Sequence, residues 1–223
     1  MIKRKIKNGA QIINSLVPSE YRVEISEQVQ DYIELRHLYN AAMRKVKTKL
    51  EILDEEFKIR FNHNPIHHIE CRLKSPQSIV DKLNRKGLEL SMESIKKNIM
   101  DIAGIRVICN YIDDIYTISE LLLKQDDIAL IRKRDYIANP KENGYRSLHL
   151  VIMTPVFLSD RKELVPLEVQ IRTIAMDCWA SLEHQLMYKS PVPLPDSLKE
   201  QLKECADAMN DVDIKLQNIY KQL

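Results

Sequence analysis

The segment from Leu164 to Leu186 constrains the fold most strongly, because a strand pattern with two unlike faces leads directly into a helical pattern. Successive side chains of a strand point to opposite faces of a sheet. The two sets are Leu167, Val169 and Ile171 on an apolar face and Glu168, Gln170 and Arg172 on a polar one. The apolar face suits a core. The polar face is either the floor of a polar site or a solvated sheet face with an internal charge pair.

Hydrophobic periodicity and turn residues divide the rest of the chain into helices and strands. Predicted helices cover residues 18–62 (two or more long helices), 75–86, 91–100, 113–124, 174–188 and 196–223. Predicted strands cover residues 69–74, 102–111, 128–138, 147–156 and 164–172. This order predicts an α+β fold with a mixed central β-sheet of about five strands flanked by helices, with long N- and C-terminal helical extensions. The helical spacing of Trp179, Leu182 and Leu186 predicts that all three lie in the core.

Charge and composition exclude two broad classes. The 34 Lys and Arg residues against 32 Asp and Glu give a net charge of only +2, so a broad basic surface for duplex nucleic acid is not expected. No apolar run is long enough to span a bilayer, so no membrane association is predicted. The four cysteines show no CxxC spacing, which fits a reducing compartment and predicts a cytoplasmic protein.

Glycine is scarce, with four residues, and neither a GxxxxGKS/T loop nor a GxGxxG turn occurs. A nucleotide would therefore have to be held by cationic side chains and stacking. Arg72 and Lys74 share one face of a short predicted strand, and Lys82 follows in the next helix. Cations that converge near a helix N-terminus could hold a polyanion, although an ordinary solvated basic face gives the same pattern.

Two acids are candidate ligands for a hard cation. Asp101 precedes the predicted strand that contains Arg106, and Glu168 lies on the polar face described above. Mg²⁺ on a polyphosphate usually takes one or two protein carboxylates, so Asp101 and Glu168 form a candidate Mg²⁺ site. Gly104 would allow a ligand or another backbone to come close. The alternative for Asp101 is a local cap or salt bridge.

A third polar group surrounds the predicted turn at Asn143-Gly144, a dipeptide typical of hairpins. Its members are Lys141, Asn143, Tyr145 and His149, and Arg134 lies in the strand before the turn. Tyr145 could present its ring to a base, and such stacking contributes about 1–3 kcal/mol. A lone histidine in an apolar strand is more often a satisfied core residue, but the clustering favours a ligand site.

A group of potential zinc ligands lies just before these motifs. His63, His67, His68 and Cys71 can all bind zinc, yet their spacing matches no standard finger and no second cluster completes a site. An occasional or inhibitory metal site there is a hypothesis that metal analysis of the purified protein tests.

Four motifs follow one another in a fixed order: RLKSPQSIVDKLNRKG, DIAGIRVIC, RDYIANPKENGYRSLHL and LEVQIRTIAMDCWASLEHQL. This ordered set resembles the synthetase domain of the RelA/SpoT family, over residues 63–189. The chain resembles in particular the small stand-alone alarmone synthetases of that family, the RelP/RelQ type. Long relatives carry a hydrolase domain with an HD motif. No His-Asp pair occurs in this sequence, so hydrolysis of the product is not expected.

The resemblance implies a (p)ppGpp synthetase of the stringent response, a GTP/GDP diphosphokinase with Mg²⁺ as cofactor. Pyrophosphate would move from ATP to the 3′-OH of GDP or GTP, giving AMP and ppGpp or pppGpp. For the donor, the resemblance implies Arg72 and Arg106 around the adenine, with Lys74 and Lys82 on the ATP phosphates. For catalysis, it implies Asp101 as a Mg²⁺ ligand, Glu168 as the second ligand and the activator of the 3′-OH, and Gln170 as a support for Glu168. For the acceptor, it implies Tyr145 on the guanine, Asn143 shaping that loop, and three residues near the phosphates: Arg134, Lys141 and His149.

The resemblance also implies an organisation of the chain. It predicts an N-terminal helical region at residues 1–62, a (p)ppGpp synthetase domain at 63–190 and a C-terminal helix at 191–223 for oligomerisation. A homotetramer formed through the terminal helices is implied, with ATP and GDP or GTP as ligands and no requirement for nucleic acid. The alternative is a catalytically inactive nucleotide- or RNA-binding regulator. The presence of both Asp101 and Glu168 counts against it.

One departure from the family pattern concerns regulation. RelQ-type members bind pppGpp as an activator with an aromatic residue before the Arg-x-Lys motif and an asparagine in the helix after EVQIRT. The matching positions here hold His68 and Asp177. An acidic Asp177 would repel a phosphate-rich effector, so weak or absent activation by the product is expected.

Overall fold

The computed structural model describes residues 22–188 and 194–222, with side chains for residues 29–187 and 194–222. Its helices are α1 (Arg22–Phe61), α2 (Pro76–Arg85), α3 (Met92–Asn98), α4 (Ile112–Leu123), α5 (Ile174–Tyr188) and α6 (Asp196–Tyr220). Its strands are β1 (Ile66–Leu73), β2 (Ala103–Cys109), β3 (Ala129–Asp135), β4 (Leu148–Phe157) and β5 (Lys162–Thr173). Predictions for residues 1–21, 189–193 and 223 lie outside the described residues. Among the described residues, no helix is long and apolar enough to cross a membrane.

The strands form one mixed sheet in the order β1-β2-β5-β4-β3. The central pair, β2 and β5, is parallel, and the other neighbouring pairs are antiparallel. The apolar face of β5 is fully buried, since Leu167, Val169 and Ile171 are 0% exposed. The predicted α+β fold with a mixed sheet flanked by helices is therefore confirmed.

The described N-terminal part is one helix of 40 residues, α1. The prediction of two or more helices between residues 18 and 62 is wrong for the described part. Neither proline nor glycine interrupts residues 22–61, so nothing local breaks the helix. Its buried side chains recur every three or four residues, as in a helix that lies along a core. They are Leu35, Tyr39, Ala42, Met43, Val46, Leu50 and Leu53.

Ion pairs fix α1 to the loop before β3. The Nζ atoms of Lys45 and Lys49 each lie 2.8 Å from a carboxylate oxygen of Asp127. Lys45 also donates a hydrogen bond of 2.7 Å to the carbonyl oxygen of Pro155 in β4. Partial burial raises the pKa of Asp127, but the two lysines outweigh it and lower that pKa to about 2.

Local sequence signals mark both ends of α2, whose bounds agree with the helix predicted over residues 75–86. The Ser75 hydroxyl accepts a hydrogen bond from the backbone N–H of Ser78, and Pro76 occupies the first turn. Gly87 follows the helix with a φ of +63°, a conformation that glycine adopts without strain. The helix therefore starts directly after β1, and Lys82 extends from it towards Asp101.

The C-terminal helix α6 docks on the end of β5 and the start of α4. The buried carboxylate of Asp213 accepts a hydrogen bond of 2.5 Å from the Thr173 hydroxyl. The Gln217 side chain accepts a hydrogen bond of 2.9 Å from the backbone N–H of Asp113. Tyr220 stacks on Tyr111 with ring centroids 4.3 Å apart. The last helix thus packs directly against β5 and α4.

The core prediction for α5 holds for one residue of three. Trp179 is 4% exposed, but Leu182 and Leu186 are 51% and 47% exposed. Trp179 donates a hydrogen bond of 2.7 Å to the carbonyl oxygen of Leu202 in α6. The prediction for Leu182 and Leu186 is wrong because helical spacing defines a stripe, whereas burial depends on what covers it.

Candidate active site

The strand register brings separate sequence motifs into adjacent rows on one face of the sheet. Consecutive Cα partners give a first row of Glu70, Arg106, Gln170, His149 and Arg134. The next row, two residues away on each strand, contains Arg72, Gly104, Glu168, Val151 and Arg132. Side chains two apart on a strand share a face. All five strands therefore contribute to one polar surface.

A cavity of about 310 Å³ opens on this surface. Its lining residues are Glu70, Arg72, Lys74, Ser78, Asp101, Gly104, Ile105, Arg106, Glu168 and Gln170. Both predicted acids thus line the same cavity. Gly104 lies between Arg72 and Glu168 in its row and has no side chain, which leaves the floor open. A larger cavity of about 810 Å³ beside α1 and α3 is lined by none of the predicted site residues, so we place the chemistry in the smaller one.

Asp101, in the turn before β2, binds two lysines through one oxygen. Its Oδ2 accepts hydrogen bonds from Lys74 Nζ at 2.9 Å and from Lys82 Nζ at 2.7 Å. Burial raises the pKa of Asp101, but the two lysines outweigh it and hold that pKa below its ordinary value. The other oxygen, Oδ1, is buried and has no hydrogen-bond partner within the described part of the chain. The carboxylate is therefore ionised at neutral pH with one oxygen available.

Glu168 is held by neighbours on β4 and β5. Its Oε2 accepts a hydrogen bond of 2.8 Å from the Gln170 side chain. Its Oε1 lies 3.6 Å from His149 Nδ1, an ion-pair distance rather than a hydrogen bond. Burial raises the pKa of Glu168, but His149 and Gln170 outweigh it and lower the pKa, while the negative charge of Asp101 acts to raise it. Glu168 is thus an ionised carboxylate, and the charge of Asp101 is close enough to influence its pKa.

These two acids fit a magnesium ion better than a metal that needs a full protein cage. Among the described residues, no group of three or more His, Cys, Asp or Glu side chains is arranged to hold a metal ion. Mg²⁺ needs only one or two carboxylates when phosphates and water complete its octahedron. The buried Oδ1 of Asp101 and the charged Glu168 in the same cavity meet that requirement.

Arg106 is held from two sides. Its guanidinium donates a hydrogen bond of 3.1 Å to Glu70 on β1 and lies 3.5 Å from Asp177 on α5. Arg72 is exposed and lines the same cavity from β1. Arg72 lies opposite Gly104 on the neighbouring strand, and Arg106 lies two residues after Gly104 on the same face, so the two guanidinium groups can hold a planar base between them.

An aromatic cluster lies beside Glu168. The Tyr145 hydroxyl is 2.8 Å from His149 Nε2, and the rings of Tyr136 and His149 meet edge to face with centroids 5.2 Å apart. The Nζ atom of Lys141 lies 4.9 Å from the Tyr136 ring centroid and 4.6 Å from that of Tyr145. Arg134 contacts the Tyr136 hydroxyl at 3.4 Å. This cluster offers a ring face and several cationic groups to a ligand.

The loop that carries Tyr145 is organised by Asn143. Its side-chain oxygen accepts a hydrogen bond of 3.2 Å from the backbone N–H of Tyr145, and its amide nitrogen donates to Glu183 on α5 at 3.1 Å. The backbone N–H of Gly144 closes the turn on the carbonyl oxygen of Lys141 at 2.8 Å. The predicted turn forms within a longer β3–β4 connection.

Sequence reasoning assigned no role to several residues that organise the site. Arg172, only 5% exposed, donates to the hydroxyl of Tyr145 at 2.5 Å, to Gln170 at 2.9 Å and to Asp177 at 3.1 Å. Asp177 also lies 3.5 Å from Arg106, so one carboxylate connects the cavity that Arg106 lines with the aromatic cluster around Tyr145. Alternation along β5 places Arg172 on the polar face, but no local signal predicts its partners. Glu70 and Tyr136 were missed for the same reason.

The potential zinc ligands do not converge. His63 Nε2 is 2.7 Å from Asp114 Oδ1, and its ring stacks on Tyr220 with centroids 5.0 Å apart. His67 and His68 meet edge to face at 5.3 Å, and Cys71 is exposed further along β1. Nothing in the described residues supports a zinc site there.

Comparison with known proteins gives one consistent family. The family model described as the region found in RelA/SpoT proteins matches residues 71–192. GTP pyrophosphokinase YwaC of Bacillus subtilis is 46% identical over 186 residues, which cover 83% of this chain and 89% of that protein.

Solved structures agree in fold. The small alarmone synthetase 2 from Bacillus subtilis has a TM-score of 0.79 and 44% identity, over 86% of this chain and 100% of that one. The small alarmone synthetase 1 from Bacillus subtilis bound to its product pppGpp has a TM-score of 0.79 and 34% identity, over 86% and 97% of the two chains. The same enzyme bound to AMPCPP gives 0.74 and 29%, over 87% and 98%. With a matching family model and a 46% identical relative over most of its length, the chain belongs to the RelA/SpoT family.

Proposed function

We propose that this protein is a (p)ppGpp synthetase, which transfers pyrophosphate from ATP to the 3′-OH of GDP or GTP and releases AMP. The observation that carries the proposal is the single cavity in which Asp101 and Glu168 meet a cluster of Arg and Lys side chains, beside an aromatic cluster. A family whose relatives are named GTP pyrophosphokinases and small alarmone synthetases supports it.

The donor binds on the β1–β2 side of the cavity. Arg72 and Arg106 hold the adenine, and Lys74 and Lys82 neutralise the phosphates of ATP. Both lysines already converge on Asp101, so the phosphate chain would lie beside these two cations and beside the carboxylate that would hold Mg²⁺. Phosphoryl-type transfer depends mostly on positioning and charge neutralisation, which these fixed cations supply.

The acceptor binds on the β4 side. Guanine stacks on Tyr145, the loop shaped by Asn143 follows it, and Lys141, Arg134 and His149 meet the acceptor phosphates. Glu168 accepts the proton of the 3′-OH as that oxygen attacks the β-phosphorus of ATP. The bond from this phosphorus to the oxygen shared with the α-phosphate breaks, and AMP leaves with the bond's electrons. The pKa of Glu168 lies below its ordinary value, so the carboxylate is in the ionised form in which it can accept a proton.

Asp101 and Glu168 are the residues that would hold Mg²⁺. When bound, the ion would neutralise charge on the phosphates and orient them. The free oxygen of Asp101 supports this assignment.

The assembly is proposed to be a homotetramer, with residues 191–223 as its oligomerisation element, residues 63–190 as the synthetase domain and residues 1–62 as a helical region. Apolar side chains that remain about half exposed on α5 and α6 support it. They are Leu182, Leu186, Val212, Leu216 and Ile219. Sedimentation analysis would measure the mass of the assembly.

Two further proposals concern location and regulation. The four free cysteines support a cytoplasmic location. Asp177 accepts a hydrogen bond from Arg172 rather than being free for an effector, which supports weak activation by the product.

One assay tests the proposed reaction. Purified protein is incubated with labelled ATP, Mg²⁺ and GDP or GTP, and AMP is measured together with the pyrophosphorylated guanine nucleotide. Glu168→Gln should lower the rate by at least about two orders of magnitude, as expected for loss of a principal acid–base group. Glu163→Gln, on the same strand but ion-paired to exposed Arg161, is the matched control and should keep wild-type activity. Equal rates for Glu168→Gln and wild type, or AMP formation without any guanine nucleotide, would exclude the proposal.

A further inference from the structure

Arg146 follows Tyr145 directly, yet its contacts are with α6 rather than with the aromatic cluster. Its NH1 donates hydrogen bonds to the carbonyl oxygens of Gly144 at 3.0 Å and Ala206 at 3.3 Å. Its NH2 donates to Asp207 Oδ1 at 3.0 Å. Only 13% of the Arg146 side chain is exposed. The planar guanidinium therefore ties the Tyr145 loop to the last helix with directional, charge-assisted bonds.

The loop backbone also lies directly against α6. A Cβ atom on Gly144 would stand 2.6 Å from the Cβ of Ala206, closer than real Cβ contacts, and the φ of Gly144 is +85°. Tyr145 packs against a small buried cluster formed by Trp179, Ala180 and Ala206. The rear of the Tyr145 loop is thus built from α5 and α6.

Tyr145 is fixed at two ends. Its hydroxyl is held at the front by Arg172 and His149, and its backbone is held at the rear by the Arg146 contacts. The cavity with the two acids is lined by other segments: β1, β2, α2, β5 and the turn at Asp101. Loss of the rear anchor would therefore disturb the acceptor side and leave the donor side intact.

We propose that Arg146 is a positioning residue that sets the affinity for the guanine nucleotide by tying residues 141–146 to α6. This inference rests on the proposed function, because it takes Tyr145 as the surface on which guanine stacks. Arg146 acts through Tyr145 and touches neither substrate. Misplacement of a bound group by roughly 1 Å can cost about a hundredfold in rate, so a loosened loop has a measurable effect.

The test compares Arg146→Met and Arg146→Lys with wild type. Methionine keeps an apolar stem, and lysine keeps the charge without the fork that binds two carbonyls and a carboxylate. Arg146→Met should raise the KM for GDP at saturating ATP about ten- to hundredfold, with Arg146→Lys in between, while the KM for ATP stays unchanged. A residue with a merely structural role would change both KM values and the thermal stability together.

The single tryptophan of the chain reports on the anchor helix. Trp179 donates to the carbonyl oxygen of Leu202, so its fluorescence emission shifts to the red if α6 detaches from α5. The expected result is wild-type emission together with a selectively raised KM for GDP. Arg161→Met, which removes an exposed arginine paired with Asp160 and Glu163, is the matched control and should change neither KM. Equal changes in both KM values, or no change in either, would overturn the inference.

Two further measurements keep the outcomes separable. If Arg146→Met does not fold, Asp207→Ala removes only the exposed partner and should raise the KM for GDP severalfold; an unchanged KM then refutes the positioning role. If wild-type protein transfers no pyrophosphate, the proposed function fails. GDP binding measured by calorimetry still decides the role of Arg146. Weaker GDP binding by Arg146→Met, with unchanged binding of a non-hydrolysable ATP analogue, supports the positioning role. Equal GDP binding by the variant and wild type refutes that role.

Discussion

Replacement of Gly104 by valine should separate stability from activity. Gly104 occupies β2 between Arg72 and Glu168, and it lines the cavity that Asp101 and Glu168 share. A Cβ atom added there would meet only the Arg72 carbonyl oxygen within 4 Å, at an ordinary contact distance of 3.7 Å. The fold therefore has room for a side chain, but that room is the floor of the substrate cavity.

The two effects have opposite signs. Glycine in a strand costs about 0.5–1 kcal/mol relative to alanine, and β-branched residues suit strands, so Gly104→Val should leave the free energy of unfolding unchanged or raise it. The cavity of about 310 Å³ is at the lower end of the range of roughly 300–1,000 Å³ for ligand sites. Displacement of the donor by about 1 Å should lower kcat/KM for ATP about a hundredfold, and Gly104→Ala should have a smaller effect.

Steady-state kinetics and urea denaturation measure the two quantities on the same samples. Gly87→Ala is the matched control with the reverse signature. Gly87 has a φ of +63° and open space around it, so alanine there should cost about 1 kcal/mol of stability and leave kcat/KM unchanged. A Gly104→Val protein with wild-type kcat/KM for ATP would refute the reasoning, as would a destabilised protein whose activity loss follows its unfolding.

Two other predictions concern the acceptor site and the anchor of α1. Tyr145→Ala should raise the KM for the guanine nucleotide about 10- to 100-fold, because it removes stacking worth about 1–3 kcal/mol. Tyr145→Phe loses only the hydroxyl contacts with His149 and Arg172 and should have a smaller effect. An equal rise in the KM for ATP would contradict this prediction. Asp127→Asn should lower the free energy of unfolding by about 1 kcal/mol at neutral pH, a value discounted because the carboxylate is one-third exposed. Because the pKa of Asp127 in the folded protein is lowered to about 2 from an ordinary 3.8, this stabilisation is complete above the ordinary value and disappears as the pH falls through about 2. Denaturation curves of wild type and Asp127→Asn at neutral pH and at a pH of about 2 check it, and a stability difference between the two proteins that persists in acid would contradict it.

Local patterns in the sequence predicted much of the fold. Alternation along β5, the helix over residues 75–86, and the order of strands and helices depend on the chain's own backbone geometry, and each is confirmed. The failures have different causes. The exposure of Leu182 and Leu186 depends on what packs against α5, and amino-acid spacing carries no information about that. The unbroken helix α1 agrees with the lack of proline and glycine in residues 22–61, a local signal that hydrophobic spacing alone does not use.

The site divides in the same way. The sequence by itself determined which acids and cations the chain carries and which of them share a strand face. Only the tertiary structure decided that Asp101 and Glu168 open onto one cavity, that Arg172 is buried between Tyr145 and Asp177, and that α6 supports the acceptor loop. Alternation is a property of one strand, whereas register and burial arise when hydrogen-bond ladders and packing join segments that are far apart along the chain.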